Sequence, residues 1–418
     1  MAKRLHWLFH EWADMSDRAI IENNSSKILL LLPSAAVWRV EGNLCFDRKF
    51  YDGLSLYAET WPGEIRVGIR IDQGPPPKFG LIKHDEKSAR ARFVFLGADE
   101  EIQDAHLKDV DIVLASADNH KNFHVASLCQ KLNVACIYGI EYILETRLQI
   151  LRIGTGNLLQ LAKSTVWLLY AELKRRSALK QADSIQANGV PAYDVYARFV
   201  RNPLIYFDTR IEEGMGITHA ELDERLSFLD RNEPLRLGFS GRLIGIKGAD
   251  HLVELGCLLR ERGLPFSLDI FGDGELLPEM DAKIKSYGIS AQVRLHGAVD
   301  FKNELVPYLK KNIDLFVVCH RQSDPSCTYL ETYACGVPIA GYDNKAHAGI
   351  LAKHDVGWKV KMNDVARLAD LIIRLHSSRD EIKAKSRAAA RFAMDNNFET
   401  TFKRRISHCI DIMQAKQR

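Results

Sequence analysis

The sequence has no CxxC pair, no GxGxxG turn after its first apolar run, and almost no imbalance of charge. Nor does any uninterrupted apolar stretch approach the ~18–20 residues that a membrane span needs. Each absence closes a class. The eight cysteines (Cys45, Cys129, Cys136, Cys257, Cys319, Cys327, Cys335 and Cys409) are scattered, at spacings that suit neither a disulfide framework nor a zinc module. They are expected to be small core residues of a cytosolic protein. Lys+Arg of 57 against Asp+Glu of 54 leaves a net charge of +3, which speaks against nucleic acid as the main ligand. The opening MAKRLHWLFHEWADMSDR lacks a signal-peptide core and cleavage site, so a cytoplasmic location is expected. Without GxGxxG and a suitably placed acidic residue, a dinucleotide dehydrogenase is disfavoured. His120 and His124 form an HxxxH pair in a predicted helix, but no third ligand stands out, so no metal is expected.

What is present is a long chain with a repeated apolar rhythm. At 418 residues it is too long for one ordinary core, and two domains are expected. Short continuous apolar runs begin with Lys27–Pro33 and continue at Ile65–Ile71, Phe93–Gly97, Val110–Ala115 and Val134–Tyr138. Further runs follow at Leu235–Ser240, Phe266–Phe271, Val293–His296, Ile313–Val318, Val337–Gly341 and Val356–Val360. Helical patterns such as Phe123–Lys131 and His251–Arg262 separate them. That alternation predicts α/β architecture, with two doubly wound parallel sheets and a cleft between them. The expected divisions are an extension over 1–26, a first domain over 27–207, a connection over 208–234, a second domain over 235–395 and a final segment over 396–418.

In a parallel α/β sheet, ligands bind beyond the carboxyl ends of the strands. After Leu235–Ser240 comes Gly241-Arg242-Leu243-Ile244-Gly245-Ile246-Lys247-Gly248, which leads into a predicted helix. Glycines admit a ligand close to the backbone, a helix start offers unpaired N–H groups, and Arg242 with Lys247 offsets negative charge. This is a diphosphate site in outline. Gly272-Asp273-Gly274-Glu275 follows the next strand. After Ile313–Val318, Pro325-Ser326 can start a helix with its donors and the Ser326 hydroxyl at the positive end. Glu331, inside that helix, can accept both hydroxyls of a ribose.

In their order, GRLxxxKG, FGDGE, the helix start with Glu331, and ACGVPIAG resemble the GT-B fold of glycosyltransferase family 4, glycosyl transferases group 1. The likeness is specific over about residues 235–365. It implies a retaining, metal-independent enzyme with a nucleotide-diphosphate sugar as donor, no separate cofactor, and a glycan or lipid-linked glycan as acceptor. By resemblance, Arg242 and Lys247 hold the diphosphate and Glu331 the ribose. Gly241, Gly272 and Gly274 shape the donor site, and Arg294 lies by the base. Ser326, Cys327 and Thr328 offer donors to phosphate or sugar. The last helix, Glu399–Gln417, is expected to cross back to the first domain. Polysaccharide synthesis at a bacterial surface is expected by family association alone.

Two positions depart from the family pattern. Where a first glutamate usually contacts the sugar, this chain has Ser323 beside Asp324. Either Asp324 substitutes through a shifted loop, or the sugar is held differently; with His320 and Arg321 adjacent, that loss suits an acidic donor sugar. Where a family histidine faces the sugar from the first domain stands Glu141, suited to polarising an acceptor hydroxyl. Leu158–Lys180, with Lys163, Lys174, Arg175, Arg176 and Lys180, is expected either to cover the sheet or to meet an anionic membrane surface peripherally. Competing expectations are a non-catalytic scaffold subunit for glycan assembly and a sugar-nucleotide epimerase of the same architecture.

Overall fold

The computed structural model describes residues 27–418 except 78–79, 85–90, 98 and 232, so the expected extension over 1–26 lies outside the described residues. The first sheet holds β1 (Lys27–Leu32), β2 (Val37–Val40), β3 (Asn43–Asp47), β4 (Gly63–Asp72), β5 (Leu81–Lys83), β6 (Arg92–Leu96), β7 (Ile112–Ser116), β8 (Ala135–Ile140), β9 (Ser184–Asn188) and β10 (Leu204–Tyr206). Its order is β10-β9-β8-β7-β1-β4-β2-β3-β5, with β6 also on β4. The second holds β11 (Leu235–Ser240), β12 (Phe266–Phe271), β13 (Val293–Gly297), β14 (Leu315–Val318), β15 (Ile339–Tyr342) and β16 (Gly357–Val360). Its order is β13-β12-β11-β14-β15-β16, and every pair in it is parallel.

Each sheet reverses direction at its first strand. Chain progress runs outward on one side through β7 to β10, and on the other through β4; in the second sheet β12 and β14 flank β11. At such a reversal the two loops leaving the strands diverge and open a crevice. Two crevices therefore face the middle of the molecule. Helices cover both faces of each sheet, and β1 and β14 are buried almost throughout, which explains their unbroken apolar runs.

Five strands escape the apolar rhythm. β2 and β3 form an antiparallel hairpin across Glu41-Gly42, both at positive φ, as a two-residue turn requires. β5 extends that hairpin antiparallel to β3. β9 reads SIQAN yet is wholly buried, because its polar side chains are matched. Ser184 Oγ donates to the Asn202 carbonyl at 2.8 Å, and Gln186 Nε2 to the Arg405 carbonyl at 2.9 Å. Among the described residues, β10 pairs only with β9. The predicted helix carrying both histidines is also broken. His120 sits in a 3₁₀ turn and His124 just before the Val125–Leu132 helix, so the two do not share a helical face. His120 meets Trp167 edge-on, and His124 bonds the Ile102 carbonyl at 2.8 Å.

The last helix, Phe398–Gln417, leaves the second domain and lies on the first. Arg405 Nε donates to Gln186 Oε1 at 2.8 Å, Lys416 pairs with Asp183 at 2.8 Å, and Phe402 packs edge-on against Tyr57.

Candidate functional site: a cleft between the two sheets

A cleft of about 860 Å³ separates the two reversal points. Nine of the residues singled out by sequence line it: Glu141 from the first domain, and Gly241, Arg242, Lys247, Asp324, Ser326, Cys327, Thr328 and Glu331 from the second.

The loop after β11 is shaped by close packing. Gly241 N–H donates to the Phe271 carbonyl at 3.0 Å and Leu243 N–H to that of Asp273 at 2.9 Å. A Cβ on Gly272 would stand 1.9 Å from the Gly241 carbonyl oxygen, so only glycine lets the two loops touch. Gly272 and Gly274 thus support the loop from behind and do not line the cleft. Gly248, at φ 68°, turns the chain into the Ala249–Glu261 helix against the Cys319 carbonyl. The two cations of this loop behave differently. Arg242 is exposed, and among the described residues its side chain has no hydrogen bond or ion pair. Lys247 is buried, and its Nζ donates to both Asp324 oxygens at 3.1 and 3.4 Å.

Glu331 lies buried at the cleft wall. Arg210, from the connection between domains, grips it in a fork, Nε to Oε1 at 2.7 Å and Nη2 to Oε2 at 3.0 Å, with its guanidinium 3.9 Å over the Phe301 ring. A carboxylate offers about four lone-pair sites, so the fork leaves room for two hydroxyls.

Arg294 and Ser323 are not brought into the cleft. Arg294 is held by the buried Asp269 in a fork at 2.8 and 2.9 Å, which His296 joins at 2.7 Å. Ser323 is buried; its N–H donates to Gln149 Oε1 at 3.3 Å and its hydroxyl accepts from Lys345 N–H at 3.2 Å. The setting expected to favour an acidic sugar also dissolves. Arg321 turns away to the Gly245 carbonyl, Asp250 and His251. His320 is buried, and burial together with the nearby Lys247 holds its imidazole well below its usual range, hence neutral. Neither His320 nor Arg321 is therefore free to meet a sugar carboxylate there.

From the first domain, Glu141 follows β8. Its N–H and that of Tyr142 donate to the Asp118 carboxylate at 2.9 and 3.2 Å, and Asp118 also pairs with Arg147. Burial, with Asp118 and Asp208 nearby, pushes the Glu141 carboxyl up to about 7, against the pull of Lys49. Lys49 pairs with Asp208 and donates to Cys327 Sγ at 3.0 Å, so it reaches across the cleft. Burial opposes its charge, but Asp208 and the Cys327 sulfur outweigh that and raise its pKa. Sequence reading missed Lys49, Asp208 and Arg210. None sits in a glycine-marked loop, and only folding brings them together.

Comparison with known proteins bears on the fold and on the second half of the chain. Residues 223–392 match the family model described as Glycosyl transferases group 1. The alpha-D-kanosaminyltransferase of Streptomyces kanamyceticus is 26% identical over 156 residues, which cover 37% of this chain and 39% of that protein. The match thus spans about two fifths of the curated relative's length. Among solved structures, HepE of Anabaena in complex with UDP superposes with a TM-score of 0.63 at 14% identity, over 92% of this chain and 99% of that one. The lipopolysaccharide outer core galactosyltransferase WaaB gives a TM-score of 0.61 at 14% identity, again over 92% and 99%. The chain therefore has the GT-B fold, and its second half matches the glycosyl transferases group 1 family.

Proposed function

We propose that this chain is a retaining glycosyltransferase that moves a sugar from a nucleotide-diphosphate donor to a hydroxyl of a glycan or lipid-linked glycan. The observation that carries it is the opposition, across one cleft, of an unpaired Arg242 and a buried Lys247 on one sheet to Glu141 on the other. The two cations receive the diphosphate and stabilise the charge that grows on it as the glycosidic bond breaks. Glu331 takes the ribose hydroxyls. The acceptor hydroxyl enters from the first domain, on the same face as the departing diphosphate, whose oxygen takes its proton; configuration is thereby kept. Glu141 orients that hydroxyl. Asp324 stands in for the glutamate absent at Ser323 only by fixing Lys247. A UDP-bound neighbour and a lipopolysaccharide galactosyltransferase of the same fold support a UDP-sugar and a surface-glycan acceptor.

A screen of UDP-, GDP- and ADP-sugars by thermal shift tests the donor half, since bound ligand raises apparent stability. Release of free sugar or transfer to added glycan tests the chemistry; donor binding without either would favour a scaffold subunit, and an altered sugar without acceptor an epimerase. The Glu141 role has its own signature. A carboxyl titrating near 7 is largely protonated below that pH and ionised above it. Turnover is expected to rise as pH climbs through about 7, and Glu141→Gln to flatten that limb at a cost of about 10–10²-fold in rate, the scale of one hydrogen bond to a charged group. An unchanged profile would remove Glu141 from the reaction.

A peripheral membrane contact is also proposed. The Leu144–Gly154 and Leu158–Gln181 helices pack as a hairpin whose outer face is apolar. Leu158 and Leu159 are each 80% exposed, and Ile153, Val166, Tyr170 and Leu173 are exposed beside them. Arg152, Lys163, Lys174 and Lys180 are exposed on the same hairpin, whereas Arg175, expected among them, is buried against Glu172 and the Ala117 carbonyl. Apolar side chains ringed by cations suit an anionic lipid surface. The chain is expected to sediment with phosphatidylglycerol vesicles and not with phosphatidylcholine ones, and Leu158→Asp/Leu159→Asp to abolish it. Sedimentation independent of lipid charge would count against this contact.

A further inference from the structure

A second cavity, of about 280 Å³, runs from the cleft into the first domain at the reversal point of its sheet. Asp47, Lys49, Glu141 and Asp208 line both spaces and so mark the junction. Tyr57, Tyr206 and Arg405 line the cavity alone, away from the cleft. Between these ends the walls are apolar, built from residues such as Leu32, Leu54, Leu114 and Phe402.

The inner end is unusual in its bonding. The Arg405 guanidinium lies 4.3 Å from the Tyr206 ring centroid, 5.2 Å from that of Phe402 and 5.7 Å from that of Tyr57. Its Nε is satisfied by Gln186. Among the described residues, nothing accepts a hydrogen bond from either terminal Nη. The Tyr57 hydroxyl is buried and also lacks a partner. A guanidinium stacked on rings keeps its in-plane N–H groups free, and these match a carboxylate or phosphate in a fork. The Tyr57 hydroxyl, buried without a partner, costs stability unless a ligand meets it. The carboxylates around the cavity are already engaged or lie at its mouth. Asp118 is held by Arg147 and two backbone N–H groups, Asp208 by Lys49, and Asp47 caps the Arg48–Thr60 helix. Glu141 stands at the junction.

We propose that this cavity takes an acceptor bearing an anionic group, a carboxylate or a phosphate, received by the Arg405 fork and the Tyr57 hydroxyl while the reacting hydroxyl faces Glu141. The inference rests on the first domain being the acceptor side, and it narrows the acceptor from any glycan to an acidic one.

Binding of methyl β-glucuronide, methyl β-glucoside and glycerol 3-phosphate to the full chain, in the presence of saturating UDP, tests it by calorimetry. The UDP occupies the cations of the cleft. The glucuronide or the phosphate is expected to bind at least tenfold more tightly than the glucoside, and which of the two wins identifies the anion. Tyr57→Phe and Arg405→Lys are each expected to weaken that binding several-fold while leaving the thermal shift caused by UDP unchanged. Equal binding of glucoside and anions, or anion binding unaffected by Tyr57→Phe, would overturn the proposal. Failure of any nucleotide-sugar to bind or turn over would strike the donor reading alone, because the loss of anion binding on Tyr57→Phe reports the cavity whether or not UDP is bound.

Discussion

Lys247→Met is expected to lower kcat/KM by about 10²–10³-fold, the scale of losing one preorganised donor from a developing negative charge. The side chain is buried in the loop after β11 with its ammonium on Asp324. Removing the charge has two consequences that must be separated. It deprives the diphosphate of a partner, and it leaves the Asp324 carboxylate buried without one, which by itself can cost about 3–5 kcal/mol of stability. Asp324→Asn in the same chain relieves the second and not the first. The double variant should therefore recover most of the lost melting temperature and almost none of the lost rate. Recovery of the rate would mean that Lys247 serves only to neutralise Asp324, and that the donor diphosphate is held elsewhere.

Glu331→Gln is expected to raise the donor KM by roughly 10–100-fold, as hydrogen bonds to a charged acceptor contribute about 1.5–3 kcal/mol each. Since the carboxylate also carries the Arg210 fork, loss of order in the connection is a rival cause. The sugar nucleotide itself distinguishes them. With a donor lacking both ribose hydroxyls, wild type and variant should differ far less than with the intact donor, because the bonds at issue are already gone. Arg210→Ala supplies the converse: it keeps the carboxylate and should leave most discrimination between the two donors. If Arg210→Ala reproduces Glu331→Gln in full, the carboxylate acts through the connection and not on the ribose.

Much of this site is legible in the sequence because its loops are short and local. Gly241 to Gly248 is a continuous segment that begins at a strand end and runs into a helix, and Pro325 to Glu331 runs straight into one, so their positions follow from the adjoining elements. Arg294 shows where such reasoning stops. By resemblance Arg294 is expected beside the base, yet Asp269 on the neighbouring strand claims it, and pairing between strands cannot be read from spacing. β9 shows the same limit for the fold. Its buried Ser184, Gln186 and Asn188 look like a loop until Asn202, Arg405 and Asp208 supply their partners.

By itself, the sequence determined two doubly wound sheets, the loop that brings Arg242 and Lys247 to a strand end, and the helix that carries Glu331. Apolar periodicity and glycine placement act over a few residues, so one strand of text suffices to show them. Only the tertiary structure decided that Lys49 spans the cleft to Cys327, that Arg210 grips Glu331, and that Arg405 lies over the Tyr57 and Tyr206 rings. Those contacts join residues more than a hundred positions apart. Their energies depend on burial and on which charges share one low-dielectric space, and neither exists until the chain has closed on itself.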